Sequence, residues 1–207
     1  KLLFDIAGKP IIEHQINCLV ENGIEKIIIT VNHLKKPLID FIEDRNWGIE
    51  IDFFEEEKPL GTAGSLSLMR EKPQKPFFVS NGDVLSKVNV SEMLDFHIQN
   101  KALITVGMSQ YKHQIPYGVF EVEDKGIKSF NEKPIKTFFT NAGIYIIDPE
   151  VLDIIPRNKF INMTDIINMF MNKSKNVLAF PIHEYWIDIG QLDHLTKAEK
   201  EYEEIFI

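Results

Sequence analysis

The chain has 207 residues, 44% of them hydrophobic, which is enough for one domain with a large buried core. Its 23 lysines and arginines are outnumbered by 31 aspartates and glutamates, and no basic block occurs, so a sequence-independent grip on nucleic-acid phosphates is excluded. The single cysteine, Cys18, cannot form an internal disulfide and favours a reducing, cytoplasmic setting. Since no run approaches the length of a membrane span and no leader-type segment is found, neither is predicted.

Strands and helices alternate in the first half of the sequence. Pro10 begins a helix that Asn22 and Gly23 end, and the β-branched run Lys26–Val31 is typical of a parallel strand buried on both faces. The next predicted elements are a helix over 34–46, a strand over 49–54, a helix over 62–70, a strand over 77–79, a helix over 91–100 capped by Ser91, and a strand over 102–109. This alternation predicts an α/β fold whose mostly parallel sheet has helices on both faces.

The second half has a different pattern, which favours antiparallel pairing. Two short apolar runs joined through residues 124–126 predict a hairpin. The remaining predictions are a strand over 138–147, helices over 149–155 and 163–172, a strand over 177–180 and a helix over 191–205. We expect an antiparallel extension of the same sheet and therefore a single domain over residues 1–207.

Asp83 directly follows the apolar strand Phe77-Phe78-Val79. Ligands of open α/β sheets bind beyond the carboxyl ends of the strands, so a carboxylate at this position points into a crevice. Gly82 allows the backbone to turn there without a side chain. The alternative is that Asn81-Gly82-Asp83 is only a local turn, since these residue types dominate turns.

Three further polar segments are candidates for ligand contact. Residues 59–64 form a glycine-bearing loop that enters a helix, where free backbone amides would favour an anion or the polar edge of a base. Glu132 and Lys133 could bind a sugar hydroxyl and a phosphate, although such a dipeptide is more often a solvated ion pair. Gly143 interrupts a buried strand and therefore suggests a bulge or the close approach of a ligand.

Asp188 lies between apolar neighbours, Trp186, Ile187 and Ile189. A carboxylate in such surroundings needs a cation or hydrogen-bond donors to offset its desolvation. If Asp83 and Asp188 converge, they would form a magnesium site, because Mg²⁺ is usually held by one or two carboxylates together with substrate phosphates. The six histidines are scattered and no His/Cys cluster has the spacing of a zinc site.

Taken in order, the motifs resemble those of the sugar-phosphate nucleotidyltransferases, also called nucleotide-sugar pyrophosphorylases. The segments concerned are PLGTAGSL, a strand ending in NGD, YGVF, NEKP, NAGIYIID and YWIDIG. The amino-terminal KLLFDIAGKP is similar to the family segment KPLLPVGGKP, with Leu2 and Asp5 at positions where the family usually has proline. The family's glycine-rich Gly-Gly-x-Gly-Thr-Arg loop would lie just before Lys1 and is not in this sequence, so we expect a domain shortened at its amino end.

The resemblance implies a Rossmann-like three-layer sandwich and the reaction of a nucleoside triphosphate with a sugar 1-phosphate to give a nucleotide sugar and pyrophosphate, with Mg²⁺ as cofactor. Residues 59–64, with the sequence PLGTAG, are more similar to the guanylyl branch of the family, such as the mannose-1-phosphate guanylyltransferases, than to the thymidylyl branch. One of residues 55–57 would contact the base. By position, the resemblance assigns Asp83 and Asp188 to the metal, Lys133 and Lys1 to the phosphate of the sugar phosphate, Leu60, Gly61, Thr62 and Gly82 to the nucleotide, and Gly118, Glu132 and Asn141 to the sugar.

Two other classes of protein compete with this interpretation. A catalytically inactive relative would bind nucleotide sugars as a regulatory subunit, although the presence of Asp83, Asp188 and Lys133 argues against it. A dinucleotide-binding oxidoreductase has similar alternation, but no Gly-x-Gly-x-x-Gly follows the first strands. The predicted partners are a nucleoside triphosphate and a sugar 1-phosphate, with no nucleic-acid polymer and no membrane, and a homo-oligomer remains open.

Overall fold

A computed structural model of the chain describes residues 2–32, 35–190 and 192–206. The helices are α1 (Ile11–Glu21), α2 (Lys35–Glu43), α3 (Gly61–Gly64), α4 (Val90–Gln99), α5 (Met163–Asn172) and α6 (Leu192–Phe206), with 3-10 turns at Ser65–Leu68 and Pro149–Ile154. The strands are β1 (Asp5–Ile6), β2 (Lys9–Pro10), β3 (Lys26–Val31), β4 (Glu50–Glu55), β5 (Phe77–Ser80), β6 (Val84–Ser86), β7 (Ile104–Gln114), β8 (Val119–Glu123), β9 (Gly126–Asn131), β10 (Ile135–Ile147), β11 (Val177–Pro181) and β12 (Trp186–Asp188).

The largest sheet has the strand order β11-β7-β10-β5. Its β11–β7 pair is parallel, whereas β10 is antiparallel to both β7 and β5. A separate parallel pair is formed by β3 and β4, and three antiparallel pairs are formed by β1–β2, β6–β12 and β8–β9. The α/β class with a mixed sheet is therefore confirmed, with the antiparallel pairings concentrated in the second half as expected.

Strand β10 lies at the centre of the hydrophobic core. Successive strand residues point to opposite faces of a sheet, and accordingly Ile147 packs in one cluster with Phe170 of α5, while Ile146 packs in another with Met93 of α4. Both isoleucines are almost completely buried, and each such side chain stabilises the fold by about 1.5–3 kcal/mol. Helices thus cover both faces of the sheet, which gives three layers.

The structure corrects several predicted boundaries. Helix 91–100 begins at Val90, because the Asn89 side chain accepts a hydrogen bond from the Glu92 amide at 3.1 Å and caps the helix in place of Ser91. Helix 62–70 is only one turn of α-helix followed by a 3-10 turn. Strands β7 and β10 are longer than expected, since their outer halves pair with each other although they are exposed.

The β8–β9 hairpin is confirmed at the predicted turn. Its Phe120 and Phe130 rings contact each other, with centroids 4.8 Å apart, and both remain half exposed. The hairpin therefore projects from the outer end of β7 and β10 instead of contributing to the core. No helix within the described ranges has the length and apolar character that a bilayer crossing requires.

Candidate functional site

The antiparallel pair β6–β12 brings Asp83 and Asp188 together. Asp188 lies opposite Val84 in this pair, and the Ile189 amide donates a hydrogen bond to the Asp83 carbonyl oxygen at 2.8 Å. The backbones of the two aspartates are therefore adjacent, with Asp83 in the turn just beyond the carboxyl end of β5 and Asp188 at the end of β12. A site with two carboxylates depends on such a convergence.

Burial on both faces fixes the register of this pair. Val84 and Trp186 pack in the same cluster as Met93 of α4, whereas Leu85 and Ile187 pack in a different cluster on the other face. A slip of one residue would exchange the two faces and bury the wrong side chains, so the register is strongly specified. The backbone position of Asp188 follows from this packing.

Gly190 leaves space beside the Asp188 carboxylate. A Cβ atom at Gly190 would lie 3.3 Å from Asp188 Oδ1. The Asp188 side chain is exposed, in contrast to its neighbours Ile187 and Ile189. The carboxylate is therefore open to a ligand, although its apolar neighbours in the sequence had suggested partial burial.

A β-bulge lies next to the two aspartates, as Gly143 had predicted. The β7–β10 register shifts between Asn141 and Tyr145, and Gly143 has a φ of +70°. Its carbonyl oxygen accepts a hydrogen bond from the amide of Asn81 at 2.8 Å, and a Cβ atom at Gly143 would lie 2.6 Å from the Asn81 side-chain nitrogen. The close approach at this glycine is thus made by the turn that carries Asp83.

Trp186 ties the bulge to β12. Its indole Nε1 donates a hydrogen bond to the Ala142 carbonyl oxygen at 2.8 Å. Since Trp186 is two residues before Asp188 on the same strand, this bond connects the bulge to the second aspartate. No sequence signal pointed to this contact, because a tryptophan in an apolar run normally indicates core packing.

Asn141 is held by its own strand at the edge of the bulge. Its Nδ2 donates to the Tyr145 hydroxyl at 2.8 Å, and its Oδ1 accepts from the Gly143 amide at 3.0 Å. Burial raises the pKa of the Tyr145 hydroxyl, and the bond from Asn141 opposes that shift only in part. An asparagine side chain can make further hydrogen bonds through its second N–H and second lone pair, so Asn141 is held in place with capacity left for a ligand.

A cleft of about 800 Å³ lies between β3 and β5 and includes Thr62 and Gly82 in its lining. Gln15 of α1 also lines it, and the Gln15 Nε2 donates to the carbonyl oxygens of Asn81 and Val84. Gln15 thereby holds the turn that carries Gly82 and Asp83. Sequence reasoning missed Gln15, because a glutamine between the apolar positions of a helix has no distinguishing signal.

The glycine-bearing loop packs against the segment that precedes α5. The Ala63 and Gly64 amides both donate to the Ile161 carbonyl oxygen at 3.1 Å, and Thr62 Oγ1 accepts from the Met163 amide at 2.8 Å. The expectation that the amides at this helix start are free is therefore wrong for Ala63 and Gly64. A distant segment of the chain, which the local sequence cannot reveal, already binds them.

Leu60 and Gly61 are positioned by the same contact. The Leu60 amide donates to Glu56 Oε2 at 3.2 Å, and its carbonyl oxygen accepts from the Ile161 amide at 2.9 Å. Gly61 has a φ of +77°, and a Cβ atom there would lie 2.6 Å from the Ile161 carbonyl oxygen. Of the three acidic residues at 55–57, Glu56 thus supports the loop.

Gly118, Glu132 and Lys133 meet at the base of the β8–β9 hairpin. A Cβ atom at Gly118 would lie 2.5 Å from the Phe130 ring and 2.9 Å from Glu132 Oε2, so both side chains lie directly against this glycine. The Lys133 amide donates to the Tyr117 carbonyl oxygen at 3.2 Å. These contacts join the three residues to the hairpin, and the described contacts do not join them to either aspartate.

Lys1 lies outside the described residues. Within the described ranges, no group of three or more His, Cys, Asp or Glu side chains could hold a metal ion. A metal at Asp83 and Asp188 would therefore take further ligands from substrate and water, as Mg²⁺ commonly does.

The chain is similar in sequence to known nucleotidyl transferases. A family model described as Nucleotidyl transferase matches residues 1–205. The chain is 34% identical over 209 residues to probable mannose-1-phosphate guanylyltransferase 3 of Arabidopsis thaliana, covering 95% of this chain and 62% of that protein. It is 34% identical over 203 residues to mannose-1-phosphate guanyltransferase 2 of Candida glabrata, covering 92% of this chain and 55% of that protein. The chain thus spans little more than half the length of the curated relatives it matches.

Solved structures share the fold. HddC from Yersinia pseudotuberculosis, complexed with GMP-PN, has a TM-score of 0.75 and 22% sequence identity, covering 97% of this chain and 89% of that chain. A putative glucose-1-phosphate thymidylyltransferase from Bacillus anthracis, in complex with a sucrose, has a TM-score of 0.75 and 19% identity, covering 100% of this chain and 88% of that chain. These two likenesses concern the fold, whereas the match of the family model over residues 1–205 shows that the chain belongs to the nucleotidyl transferase family, the sugar-phosphate nucleotidyltransferases that its motifs resemble.

Proposed function

We propose that the complete protein transfers a nucleotidyl group from a nucleoside triphosphate to a sugar 1-phosphate and releases pyrophosphate. The observation that carries this proposal is that the β6–β12 pairing places the backbones of Asp83 and Asp188 next to each other beyond the carboxyl end of β5. The names of the relatives favour guanylyl transfer to a hexose 1-phosphate, and mannose 1-phosphate is the first substrate to test.

We infer that Mg²⁺ is the metal of this site. Two carboxylates are the usual protein contribution to Mg²⁺, and phosphate oxygens and water complete its octahedral shell. When bound, the ion would neutralise charge on the α-phosphate and so favour attack by another anion. Asp83 and Asp188 would hold it, and Gly190 would leave room beside Asp188 for the phosphate.

The reaction needs no protein nucleophile. An oxygen of the sugar phosphate forms a bond to the α-phosphorus, the bond from that phosphorus to the bridging oxygen breaks in line, and pyrophosphate leaves with the electron pair. The protein contributes by positioning two anionic substrates and by neutralising their charge. In this scheme Thr62 and Gly82 contact the nucleotide in the cleft, Asn141 binds a sugar hydroxyl, and Lys133 binds the sugar phosphate.

The remaining assigned residues support these contacts. Leu60 and Gly61 shape the nucleotide loop, whereas Gly118 and Glu132 belong to the hairpin side of the sugar site. Because Lys133 lies at the base of the hairpin, its role requires the sugar phosphate to extend from the aspartates toward that hairpin. Lys1 would add a second cation for the same phosphate.

Pyrophosphate release by the full-length protein tests the proposal. We expect release with GTP and mannose 1-phosphate, and a panel of ATP, UTP and dTTP against other sugar 1-phosphates would measure the specificity. Asp83→Asn and Asp188→Asn should each lower kcat at least about a hundredfold, since both remove charge at the reacting phosphate. Asp153→Asn is the matched control, because Asp153 is exposed and pairs with Lys72 at 2.8 Å away from this site.

Two results would contradict the proposal. Near-normal turnover in either aspartate variant would remove the metal assignment, provided that urea unfolding shows the variants to be folded. Tight binding of a nucleotide sugar without any turnover by the full-length protein would instead support the regulatory class.

A further inference from the structure

The turn that carries Asp83 is bonded from two sides. On the side of the sheet, the Asn81 amide donates to a carbonyl oxygen in the bulge of β10. On the other side, Gln15 Nε2 of α1 donates to the carbonyl oxygens of Asn81 and Val84, which lie on either side of Asp83 in the sequence. One amide nitrogen therefore holds both ends of the turn and restricts the position of the Asp83 backbone.

Asp188 is bonded at its backbone by a different helix. His194, in the first turn of α6, donates from Nδ1 to the Asp188 carbonyl oxygen. A carbonyl oxygen can only accept, so the ring carries a proton on Nδ1 in this bond. The amide of the next residue, Ile189, donates to the Asp83 carbonyl oxygen at 2.8 Å. The backbone of each aspartate is thus held from outside the β6–β12 pair by one side chain of a helix.

Helices α1 and α6 are joined to each other at His14. The buried His14 ring accepts a hydrogen bond at Nδ1 from the Tyr202 hydroxyl at 2.9 Å, and its Nε2 donates to the Ile6 carbonyl oxygen at 2.8 Å. The His14 and Tyr202 rings are also in contact, with centroids 4.5 Å apart. Since His14 directly precedes Gln15 on α1, and Tyr202 follows His194 along α6, the two helices that hold the aspartates are fixed relative to each other.

Helix α6 also packs on the β6–β12 pair. Ala198 of α6 is completely buried in one cluster with Leu85 of β6 and Ile187 of β12, and Leu195 packs against that cluster. Apolar contact of this kind holds α6 against the pair, but it is non-directional. Hydrogen bonds depend on distance and angle, so the bond from His194 adds the direction that the packing lacks.

We propose that Gln15 and His194 are positioning residues for the two carboxylates, an inference that rests on the proposed function of this site. Both act through the backbones of Asp83 and Asp188. A metal site requires its ligands to be held within about 0.5 Å of the productive geometry by groups that are themselves fixed. Loss of such outer partners typically lowers metal affinity or activity about 10–100-fold.

Gln15→Met tests the first residue, because it removes the donor and keeps the length of the side chain. Asn176→Leu is the matched control. Asn176 Nδ2 also donates to two backbone carbonyl oxygens, those of Asn100 and Lys101, at 2.8 and 2.9 Å. It lies at the end of the sheet opposite to Asp83, so its loss removes equivalent bonds without touching the site.

Two substitutions test His194. His194→Leu removes the donor. His194→Asn keeps one, because the amide nitrogen of asparagine is separated from Cα by the same number of bonds as Nδ1 of histidine. A role in positioning predicts that the asparagine variant is close to the wild type and that the leucine variant is not.

Hydrogen exchange of the Ile189 amide measures the contact between the two backbones in metal-free protein. We expect exchange to be about tenfold faster in Gln15→Met and His194→Leu, and unchanged in Asn176→Leu and His194→Asn. In full-length protein, the Mg²⁺ concentration for half-maximal pyrophosphate release should rise about tenfold in the same two variants. The amides of β10 should keep their wild-type exchange rates, which separates positioning from a general loss of stability.

Wild-type exchange at Ile189 in Gln15→Met or His194→Leu would overturn the role of the residue changed. The same acceleration in Asn176→Leu would overturn both roles, and so would faster exchange with an unchanged Mg²⁺ requirement, since the bonds would then be structural only.

Failure of the proposed function would be seen separately, as absence of pyrophosphate release by the full-length wild type. Binding of Mn²⁺, followed by its electron paramagnetic resonance signal, then decides the inference without turnover. Weaker binding in Gln15→Met and His194→Leu than in Asn176→Leu would support the positioning roles, and equal binding would overturn them.

Discussion

Gly61→Ala tests whether the glycine-bearing loop is held by the Ile161 carbonyl oxygen. Gly61 has a φ of +77°, and an added Cβ atom would lie 2.6 Å from that oxygen and 2.8 Å from Asn162 Oδ1. Gly48→Ala is the matched control, because Gly48 has a φ of +71° and nothing within 4 Å of its added Cβ atom. The two variants share the backbone strain and differ only in the contact.

The expected magnitude follows from these contacts. The left-handed conformation costs a residue with a Cβ atom about 1–2 kcal/mol, and this applies to both variants. At Gly61 the Ile161 backbone must also move, which weakens the hydrogen bonds that Ala63 and Gly64 donate to it, each contributing about 1 kcal/mol. Gly61→Ala should therefore lower the free energy of unfolding by about 2 kcal/mol more than Gly48→Ala, or about 30-fold in the equilibrium constant.

Urea unfolding of the two variants and the wild type measures the difference. The slopes of the transitions should agree, so that the midpoints report stability alone. If Gly61→Ala and Gly48→Ala reduced the free energy of unfolding equally, the loop would not depend on Ile161 and the reasoning would be refuted. A larger loss in Gly48→Ala would refute it as well.

Two further predictions concern buried polar groups. Burial lowers the pKa of His97, and the charge of Asp148 opposes that shift. Below about pH 6.5 the unfolded chain therefore binds more protons than the folded chain. As the pH falls through this range, the free energy of unfolding decreases by up to about 1.4 kcal/mol per pH unit. Urea unfolding at pH 7.5 and 5.5 should show this loss in the wild type and less of it in His97→Gln, and equal pH dependence would count against it. Tyr145→Phe removes the hydroxyl that orients Asn141, and we expect a higher KM for the sugar 1-phosphate with little change in kcat, together with about 1 kcal/mol of lost stability. An unchanged KM would exclude a positioning role for Tyr145.

Elements with a strong local signal were predicted well. The bounds of β3 and α5 agree with the structure, since a β-branched run and an apolar stripe at helical spacing each specify their element locally. The bulge at Gly143 was also predicted, because a glycine inside a buried strand weakens the ladder and usually marks a bulge or a close backbone contact.

The distant pairings that build the site could not be predicted from the local residue pattern, and only the family resemblance assigned Asp83 and Asp188 to one metal. Strands β6 and β12 have only three residues each, too few for a period to show, yet they bring the two aspartates together. The loop amides are bonded to Ile161, which lies about one hundred positions further along the chain. Asn89 in place of Ser91 as the cap of α4 shows the same limit, because both residue types are good caps and the packing of the helix decides between them.

Because β6 pairs with β12, the candidate site can form only late in the synthesis of the chain. Ser86 Oγ donates to the Tyr185 carbonyl oxygen, 99 positions later. The segment that carries Asp83 therefore cannot form this pairing until almost half of the chain has been synthesised after it. At a translation rate of about 5–20 residues per second, a nascent chain on the ribosome has the first carboxylate several seconds before the second. Polypeptides released early, before β12 emerges, would contain the sheet but could not assemble a two-carboxylate metal centre.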